Sequence, residues 1–264
     1  MIKVLVNGCF GSMGSKVVHA VNSQDDMEVC AGVDISAEEG VGVEDEGKEI
    51  APSFTDLAAA IEVTSPDVMV DFTHPKAVYH SIEIALEHSL DCVIGTTGLT
   101  DEQLAELEKK IPEGTALFVA PNFTTGAVLM MMFSKMAAKY FPDCEIIEYH
   151  HNHKADSPSG TAIRTASMIA GARDFTCTSP GKETEVDGGE GARGALISGV
   201  PVHSVRSDGF VAHQEVILGS LGQTLTIRHD SYDRISYMPG VLLAIRNVGE
   251  RAGLIVGLEN FMEE

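Results

Sequence analysis

The chain has 264 residues, of which 44% are hydrophobic and 22% charged, values that are ordinary for a globular protein. Its 18 Lys and Arg against 39 Asp and Glu give a formal net charge of −21, which excludes nucleic acid and anionic membrane as expected partners. No run approaches the ~18 consecutive apolar residues that a membrane span needs. The N-terminus does not resemble a secretory signal peptide, and the five cysteines (Cys9, Cys30, Cys92, Cys144 and Cys177) show no metal-type or disulfide-type spacing. We therefore expect a cytoplasmic protein with reduced thiols that acts on small molecules.

The first 120 residues alternate short apolar runs with amphipathic stretches. The candidate strands are residues 4–6, 28–34, 68–72, 92–95 and 116–120, and the candidate helices between them include residues 16–21, 76–88 and 101–110. Short apolar runs that each end in a turn are typical of parallel strands covered on both faces. The alternation predicts a doubly wound α/β sheet of the Rossmann type.

The pattern changes after Asn122. A helix is predicted at 127–140, strands at 144–149, 200–205, 210–218 and 223–229, a loop at 176–199, and a final helical segment at 239–256. These elements predict a second α+β domain with a mostly antiparallel or mixed sheet, inserted before a returning C-terminal segment. The expected domains are 1–121 plus 232–264 for a dinucleotide, and 122–231 for substrate binding and oligomerisation.

A glycine-rich turn follows the first strand and opens a helix. Gly8, Gly11 and Gly14 form a Gly-x-x-Gly-x-x-Gly pattern, which lets a pyrophosphate approach the amides of a helix N-terminus without obstruction by Cβ atoms. A tight turn without a ligand is the plain alternative. The residues expected to hold the cofactor in this turn are Gly8, Cys9, Phe10, Gly11, Ser12 and Met13.

Asp34 supports nucleotide binding, because it lies 20 positions after Gly14 at the end of the second predicted strand. A carboxylate there can accept hydrogen bonds from the adenosine ribose hydroxyls. The next residue is Ile35 rather than a cation, which favours NADH over NADPH. Lys16 is the nearby cation that could reach a 2′-phosphate, so NADPH stays open.

Two more turns end predicted strands and are expected to line the nicotinamide half of the site, since ligands bind beyond the carboxyl ends of parallel strands. Ordinary loops of an α/β fold are the alternative. The residues concerned are Gly95, Thr96, Thr97, Ala120, Pro121, Asn122 and Phe123.

Residues 148–162 contain three of the ten histidines, at positions 150, 151 and 153, and Lys154 follows directly. Ser157 and Pro158 are predicted as the N-cap and first residue leading into a helix over 162–172. Amides near Ser159, Gly160 and Thr161 would then point out of a helix start, which suits a carboxylate.

Three interpretations of this segment compete. It could be a metal site in which His151 and His153 share a strand face near Asp156, although no Cys or Glu stands at a familiar ligand spacing. It could be a solvated loop. The third interpretation is an anion-binding, proton-donating site, in which an imidazole donates a proton and Lys154 supplies fixed positive charge. We favour the third, with no metal, because concentrated cations in a strongly acidic protein serve to hold an anion.

Residues 148–162, read as Glu-Tyr-His-His-Asn-His-Lys-Ala-Asp-Ser-Pro-Ser-Gly-Thr-Ala, resemble the signature of the dihydrodipicolinate reductase family, the 4-hydroxy-tetrahydrodipicolinate reductases of bacterial lysine and diaminopimelate biosynthesis. The resemblance covers nearly the whole chain. It also includes residues 8–14, 95–97, 120–123, 202–206, 211–215 and 225–229.

The resemblance implies reduction of a cyclic imine dicarboxylate to tetrahydrodipicolinate with NADH or NADPH. It implies that His150 is the proton donor or acceptor and Lys154 a second proton donor. His151, Gly160 and Thr161 would bind substrate carboxylates, and the glycine turn, Asp34 and the two later loops would hold the cofactor. The resemblance further implies a homotetramer assembled through the sheet of the second domain.

The chain departs from the family at two positions. Asn152 stands where many members have Arg or Pro, and Ile35 replaces a basic residue found in members that accept NADP well. The second departure puts NADPH use in doubt.

Two other functions stay open on the sequence. A non-catalytic dinucleotide sensor explains the glycine turn and Asp34 but leaves the cationic segment without a purpose. An oxidoreductase for a different imine or aldehyde is the other. Binding of pyridine-2,6-dicarboxylate, a planar substrate mimic, to the NADH complex would separate the enzyme from the sensor.

Overall fold

The structure is a computed structural model that describes residues 1–38, 40–173 and 191–262. Its contacts divide the chain into two units, and the first contains Met1–Thr124 together with the chain from Tyr237 onward. The second unit is Thr125–Ser236. The C-terminal segment thus returns to the unit in which the chain begins.

The first unit alternates strands and helices. Its elements are β1 (Ile2–Asn7), α1 (Gly14–Asn22), β2 (Met27–Val33), β3 (Val43–Asp45), β4 (Lys48–Ala51), β5 (Ser53–Phe54), α2 (Leu57–Thr64), β6 (Val68–Asp71), α3 (Val78–Glu87), β7 (Asp91–Ile94), α4 (Asp101–Glu108), β8 (Ala116–Val119) and, after the second unit, α7 (Met238–Val248) and β14 (Gly253–Val256). Seven strands form a parallel sheet in the order β14-β8-β7-β6-β1-β2-β5. β3 and β4 form a separate antiparallel pair.

Both faces of the parallel sheet are covered. Leu5 and Met69 share one hydrophobic cluster with residues of the packed helices, including Ile82 of α3. The neighbouring strand residues Val4 and Val68, which point to the opposite face, are equally buried. Burial on both faces explains why the central strands read as continuous apolar runs, and it confirms the predicted doubly wound sheet.

The second unit contains α5 (Thr125–Ala137), β9 (Asp143–His150), α6 (Gly160–Gly171), β10 (Ala195–Ile197), β11 (Val200–Arg206), β12 (Ala212–Ser220) and β13 (Gln223–Ser231). The five strands form a sheet in the order β10-β11-β9-β12-β13. β9 and β11 are parallel, and the other pairings described in this sheet are antiparallel. This confirms the predicted mixed, mostly antiparallel sheet.

Helices α5 and α6 pack against each other and against this sheet. Alternate residues of β9 and β12, such as Ile146 and Val216, are fully buried, whereas their neighbours Ile147 and Ile217 are partly exposed. The sheet therefore has one covered face and one more open face, as expected for an antiparallel arrangement.

The prediction that residues 239–256 form one helix is wrong at its C-terminal end. α7 ends at Val248, and Gly253, the first residue of β14, has a φ of +83°, a conformation that favours glycine and that no residue of an α-helix adopts. The following residues form β14 and pair with β8 at the sheet edge. The sequence pattern did not show this pairing partner.

The loop predicted at 176–199 is also partly wrong, because residues 195–197 form β10 and pair with β11. Cys177 and the rest of that prediction up to residue 190 lie outside the described residues. Within the described ranges, no helix combines the length and apolar character needed to cross a bilayer.

Candidate active site

The carboxyl ends of the parallel strands lie at one edge of the first unit's sheet. β1 lies between β2 and β6. The strands that follow β1 directly are therefore added on one side of it, and the strands from β6 onward are added on the other side. Such a reversal of strand order opens a crevice in which doubly wound sheets bind ligands. The glycine turn follows β1 at this point.

The geometry of the glycine turn requires its glycines. Gly8 has a φ of +83°, and a Cβ there would lie 2.6 Å from the carbonyl oxygen of Phe72. A Cβ on Gly14 would lie 1.9 Å from the carbonyl oxygen of Gly8. Among the residues that the structure describes, no side chain caps the start of α1, and the first turn of this helix contains no acidic residue. The turn therefore fits a pyrophosphate, which would supply the negative charge that this helix end favours.

The other residues of this turn differ in exposure. Phe10 and Ser12 are exposed, and Met13 is half-buried. Cys9 is buried, and burial raises the pKa of its thiol to about 12. Cys9 thus packs beneath the turn as a small apolar side chain, and only its backbone is suited to a ligand.

Asp34 lies directly against the glycine turn. Its Oδ2 accepts a hydrogen bond from the backbone N–H of Phe10 at 3.2 Å, and its Oδ1 accepts from the N–H and hydroxyl of Ser36 at 3.0 and 2.7 Å. Ile35 is 99% exposed beside it. The structure thus brings together the turn and the acid, which the sequence separates by 20 positions.

Asp71, which sequence reasoning did not assign to the site, connects the loops that follow β1, β6 and β7. Its fully buried carboxyl accepts hydrogen bonds from the Asn7 side chain at 2.7 Å, the Thr96 hydroxyl at 2.5 Å and the Thr73 hydroxyl at 2.8 Å. Burial raises the pKa of Asp71, and these hydrogen bonds oppose that shift. The signal in the sequence was an acid at the end of an otherwise apolar predicted strand.

The two remaining predicted loops, residues 95–97 and 120–123, offer a ligand mainly their backbone groups. The Thr96 hydroxyl is bound to Asp71, while Thr97 is exposed. A Cβ on Gly95 would lie 2.2 Å from the Phe72 ring, so that loop packs tightly against residue 72.

In the loop after β8, Ala120 is buried and Pro121 is exposed. The Asn122 side chain accepts a hydrogen bond from Thr124 N–H at 2.8 Å. Phe123 is buried against Phe72, with ring centroids 5.7 Å apart. Its ring therefore supports the loop and is not presented to a ligand.

In the second unit, His150 ends β9 with its ring held by a carboxylate. Glu148, two residues earlier and on the same strand face, is fully buried, and its Oε2 lies 2.5 Å from His150 Nδ1. The His150 side chain is 15% exposed. Burial alone would raise the pKa of Glu148, but hydrogen bonds from His150 and Arg206 lower it to about 2. Glu148 is therefore ionised at neutral pH.

Arg206 neutralises this buried carboxylate. Its Nη1 and Nη2 donate to the two oxygens of Glu148 at 2.8 and 2.7 Å, and Nη2 also donates to the Asp156 carbonyl at 3.0 Å. The parallel pairing of β11 with β9 places Arg206 opposite His150. Sequence reasoning assigned no role to Glu148 or Arg206. The ion pair between Glu148 and Arg206 depends on strand register, which the sequence does not show. The i, i+2 spacing that places Glu148 and His150 on one strand face was visible in the sequence.

Lys154 lies in the turn after β9. Its Nζ donates to Asp156 Oδ1 at 2.6 Å, and this hydrogen bond lowers the pKa of Asp156. His151 and His153 are exposed in the same turn, with ring centroids 6.2 Å apart. They do not share a strand face, because β9 ends at His150. Across the described residues, no group of three or more His, Cys, Asp or Glu is arranged to hold a metal ion.

The helix after this turn begins at Gly160, two residues before the predicted range of 162–172, although its N-cap lies two residues after the predicted one. Ser159, not Ser157, is the N-cap, and its hydroxyl accepts a hydrogen bond from Ala162 N–H at 3.2 Å. Its own N–H donates to Glu148 Oε1 at 3.2 Å, a tertiary contact that fixes where the helix starts. Gly160 and Thr161 are therefore the first two residues of α6, and a Cβ on Gly160 would meet open space.

These contacts join His150, Lys154 and the start of α6 in one network, whereas the exposed His151 ring contacts only that of His153 among the interactions described. Glu148 contacts both the His150 ring and the N-cap of α6, and Arg206 binds the backbone of Asp156, the partner of Lys154. An oriented imidazole, an ammonium group and a helix N-terminus are thus held together. This combination can bind a carboxylate and transfer a proton.

Comparisons with known proteins agree with this geometry. The family model described as "Dihydrodipicolinate reductase, N-terminus" matches residues 2–123, and the model described as "Dihydrodipicolinate reductase, C-terminus" matches 126–262. A 4-hydroxy-tetrahydrodipicolinate reductase of Listeria innocua is 49% identical over 99% of this chain and 100% of its own length. One from a Mycobacterium strain is 44% identical over 99% of each chain.

Among solved structures, dipicolinate-bound dihydrodipicolinate reductase from Paenisporosarcina sp. TG-14 matches with 42% identity and a TM-score of 0.86, covering 98% of this chain and 99% of that one. An amine dehydrogenase from Mycobacterium smegmatis, at 14% identity and a TM-score of 0.65, shares the fold alone. The resemblance inferred from residues 148–162 is confirmed. Because family models match both halves and full-length relatives are close to half identical, this chain belongs to the dihydrodipicolinate reductase family.

Proposed function

We propose that this protein reduces 4-hydroxy-tetrahydrodipicolinate to tetrahydrodipicolinate with a reduced pyridine nucleotide, a step in diaminopimelate and lysine biosynthesis. The observation that carries the proposal is the His150 ring, held by ionised Glu148 in the same network as Lys154 and the start of α6. A nucleotide-binding unit alone would not need an oriented imidazole beside an anion site. Family membership supplies the identity of the substrate.

The net reaction is loss of water from the hydroxylated ring and gain of one hydride and one proton. When bound, the reduced nicotinamide supplies the hydride. We assign the proton to His150, with Lys154 as a second donor, since hydride addition to the conjugated imine leaves an enamine-like anion. Positioned proton donation contributes about 10²–10⁴-fold to such a rate.

The two carboxylates of the substrate need cations or N–H donors. We assign them to Lys154, to His151, and to the N-terminus of α6 at Gly160 and Thr161. The absence of a Cβ at Gly160 leaves open space through which a carboxylate can approach the first amides of the helix. Dipicolinate, the compound bound in the Paenisporosarcina relative, has the same pair of carboxylates on a flat ring.

The cofactor site is assigned to the first unit. The backbone of residues 8–13 would hold the pyrophosphate, Asp34 the adenosine ribose, and the loops at 95–97 and 120–123 the nicotinamide end. NADH is the preferred cofactor in this proposal, because a 2′-phosphate would meet the Asp34 carboxylate, and the exposed Ile35 beside it has no charge.

A homotetramer assembled through the second unit is part of the proposal. The more open face of its sheet carries Ile147 and Ile217 among charged neighbours, and the same face of a second copy would cover them. Light scattering at fixed concentration should give four times the chain mass. Ile217→Arg should lower that mass, whereas Val63→Arg on the first unit should not.

Steady-state assays on enzymatically generated substrate, with NADH and with NADPH, test the activity. We expect turnover with both and a higher kcat/KM with NADH. Pyridine-2,6-dicarboxylate should bind the NADH complex and inhibit competitively against the substrate. Nucleotide binding with neither turnover nor dicarboxylate binding would instead identify a dinucleotide sensor.

A further inference from the structure

The carboxylate of Glu148 has more contacts than a stabilising ion pair requires. It lies on the strand that carries His150, accepts hydrogen bonds from Arg206 of the adjacent strand β11, and contacts the N-cap of α6. Gln214, the residue opposite it on β12, is uncharged. The charged groups that face Glu148 in the described structure are therefore Arg206 and the His150 ring.

The contact with His150 determines which ring nitrogen carries a proton. An ionised carboxylate can only accept hydrogen bonds, so His150 Nδ1, at 2.5 Å from Glu148 Oε2, must be the donor. Among the described residues, His150 Nε2 has no hydrogen-bond partner. Nε2 is thus the nitrogen that is available to a substrate.

We propose that Glu148 is a positioning residue of the reductase site, which holds His150 with its proton on Nδ1, presents Nε2 for proton transfer, and fixes this ring relative to the start of α6. The inference rests on the proposed function, since it assigns the proton-transfer atom of that reaction. In the donating step, the imidazolium loses its Nε2 proton to the substrate carbon. The Nδ1 proton stays in its hydrogen bond to Glu148, so the neutral ring left behind is the tautomer that the carboxylate requires.

Arg206 completes the arrangement. A buried carboxylate without a cation would strongly destabilise the folded protein. The bidentate ion pair with Arg206 supplies the cation and holds both oxygens of Glu148 in place. The same guanidinium binds the Asp156 carbonyl, so the turn that carries Lys154 is tied to the strand that carries His150. The pair thus aligns the proton donor with the anion-binding residues.

Glu148→Gln tests the proposal. The amide keeps the shape of the side chain, but it can either donate a hydrogen bond to His150 Nδ1 or accept one from it, so it no longer determines the tautomer of the His150 ring. We expect kcat to fall about 10–100-fold, by analogy with the loss that follows removal of the hydrogen-bonded partner of a metal-ligating histidine. KM for the substrate should change less than threefold, since Lys154 is unchanged and the amide oxygen of Gln can still accept the hydrogen bond from Ser159 N–H at the start of α6. Glu83→Gln, which removes a surface carboxylate paired with Lys110, is the matched control and should leave kcat unchanged.

A second measurement needs no variant of Glu148 and therefore does not depend on its folding. In ¹⁵N-histidine-labelled wild-type protein above neutral pH, the ring assigned by comparison with His150→Gln should show a pyrrole-type Nδ1 and a pyridine-type Nε2. A folded Glu148→Gln protein with wild-type kcat, or a wild-type His150 ring protonated on Nε2 alone, would overturn the proposal. Failure of wild-type turnover would instead overturn the proposed function, while the tautomer stayed readable.

Discussion

Asp34 accepts a hydrogen bond from the backbone N–H of Phe10, with Oδ2 and N 3.2 Å apart. The acid that follows β2 is therefore fixed against the turn that follows β1, and the two form one surface to which a nucleotide can bind. Ile35, fully exposed next to Asp34, is the position at which a 2′-phosphate would need a cation.

Ile35→Arg should change the cofactor preference. The guanidinium would pair with a 2′-phosphate and offset its repulsion by Asp34, so we expect kcat/KM with NADPH to rise about tenfold, equivalent to about 1.4 kcal/mol. The value with NADH should change little. Assays with both cofactors measure the ratio, and Val63→Arg, also at an exposed apolar position, is the control. An unchanged ratio would show that residue 35 does not face the adenosine ribose.

His150→Gln should lower kcat far more than it raises KM. The amide keeps a polar group near Glu148 but cannot donate a proton at neutral pH, so we expect kcat to fall about 10²–10⁴-fold. Steady-state kinetics measure the effect, and His80→Gln, at an exposed position on α3, is the control. Unchanged kcat in a folded variant would remove the role assigned to His150.

Lys154→Ala should damage both kcat and KM. The ammonium group is assigned to a substrate carboxylate as well as to proton donation, and neither function survives in alanine. Stability should fall by less than about 1 kcal/mol, because the partner Asp156 is largely exposed. Kinetics together with urea unfolding separate the two effects. Lys139→Ala should alter neither activity nor stability, and equal damage there would indicate a general charge effect.

Asp71→Asn should weaken cofactor binding indirectly, by loosening the loops that form the cofactor site. An amide nitrogen would face donors from Asn7, Thr73 or Thr96 that now point at a carboxyl oxygen, leaving buried polar groups unsatisfied. We expect a loss of about 1–3 kcal/mol in the free energy of unfolding and a higher Kd for the nucleotide. Chemical unfolding and nucleotide titration measure these, with the exposed Asp101→Asn as control. Wild-type nucleotide affinity would show that the three loops keep their positions without Asp71.

Glu148 should make stability depend on acid pH. The pKa of Glu148 is lowered from 4.5 to about 2 in the folded protein. The carboxylate therefore makes its full contribution to the free energy of unfolding above about pH 4.5, and this contribution is lost as the pH falls toward 2. A shift of this size corresponds to about 3 kcal/mol. Urea unfolding of wild type and Glu148→Gln, at one protein concentration, should show their difference shrinking by about that amount between pH 6 and pH 2. A pH-independent difference would contradict the lowered pKa.

Local patterns in the sequence were sufficient for most elements. The apolar runs at 68–72 and 92–95 agree with the bounds of β6 and β7 to within one residue at each end. They were recognisable because buried parallel strands must be apolar on both faces. Predictions failed where a distant partner decides the structure. Leu254 and its neighbours form a strand because β8 pairs with them, and Ser159 rather than Ser157 caps α6 because Glu148 binds its amide.

By itself, the sequence determined the doubly wound sheet, the mixed sheet of the second unit, and the family, since these follow from hydrophobic periodicity and from short contiguous motifs. Tertiary structure alone decided that Asp71 joins three loops and that Glu148 and Arg206 hold His150. These contacts connect residues up to 64 positions apart, and they arise from strand order and register. Burial of a charged group requires partners from neighbouring strands, and local sequence does not specify which strands become neighbours.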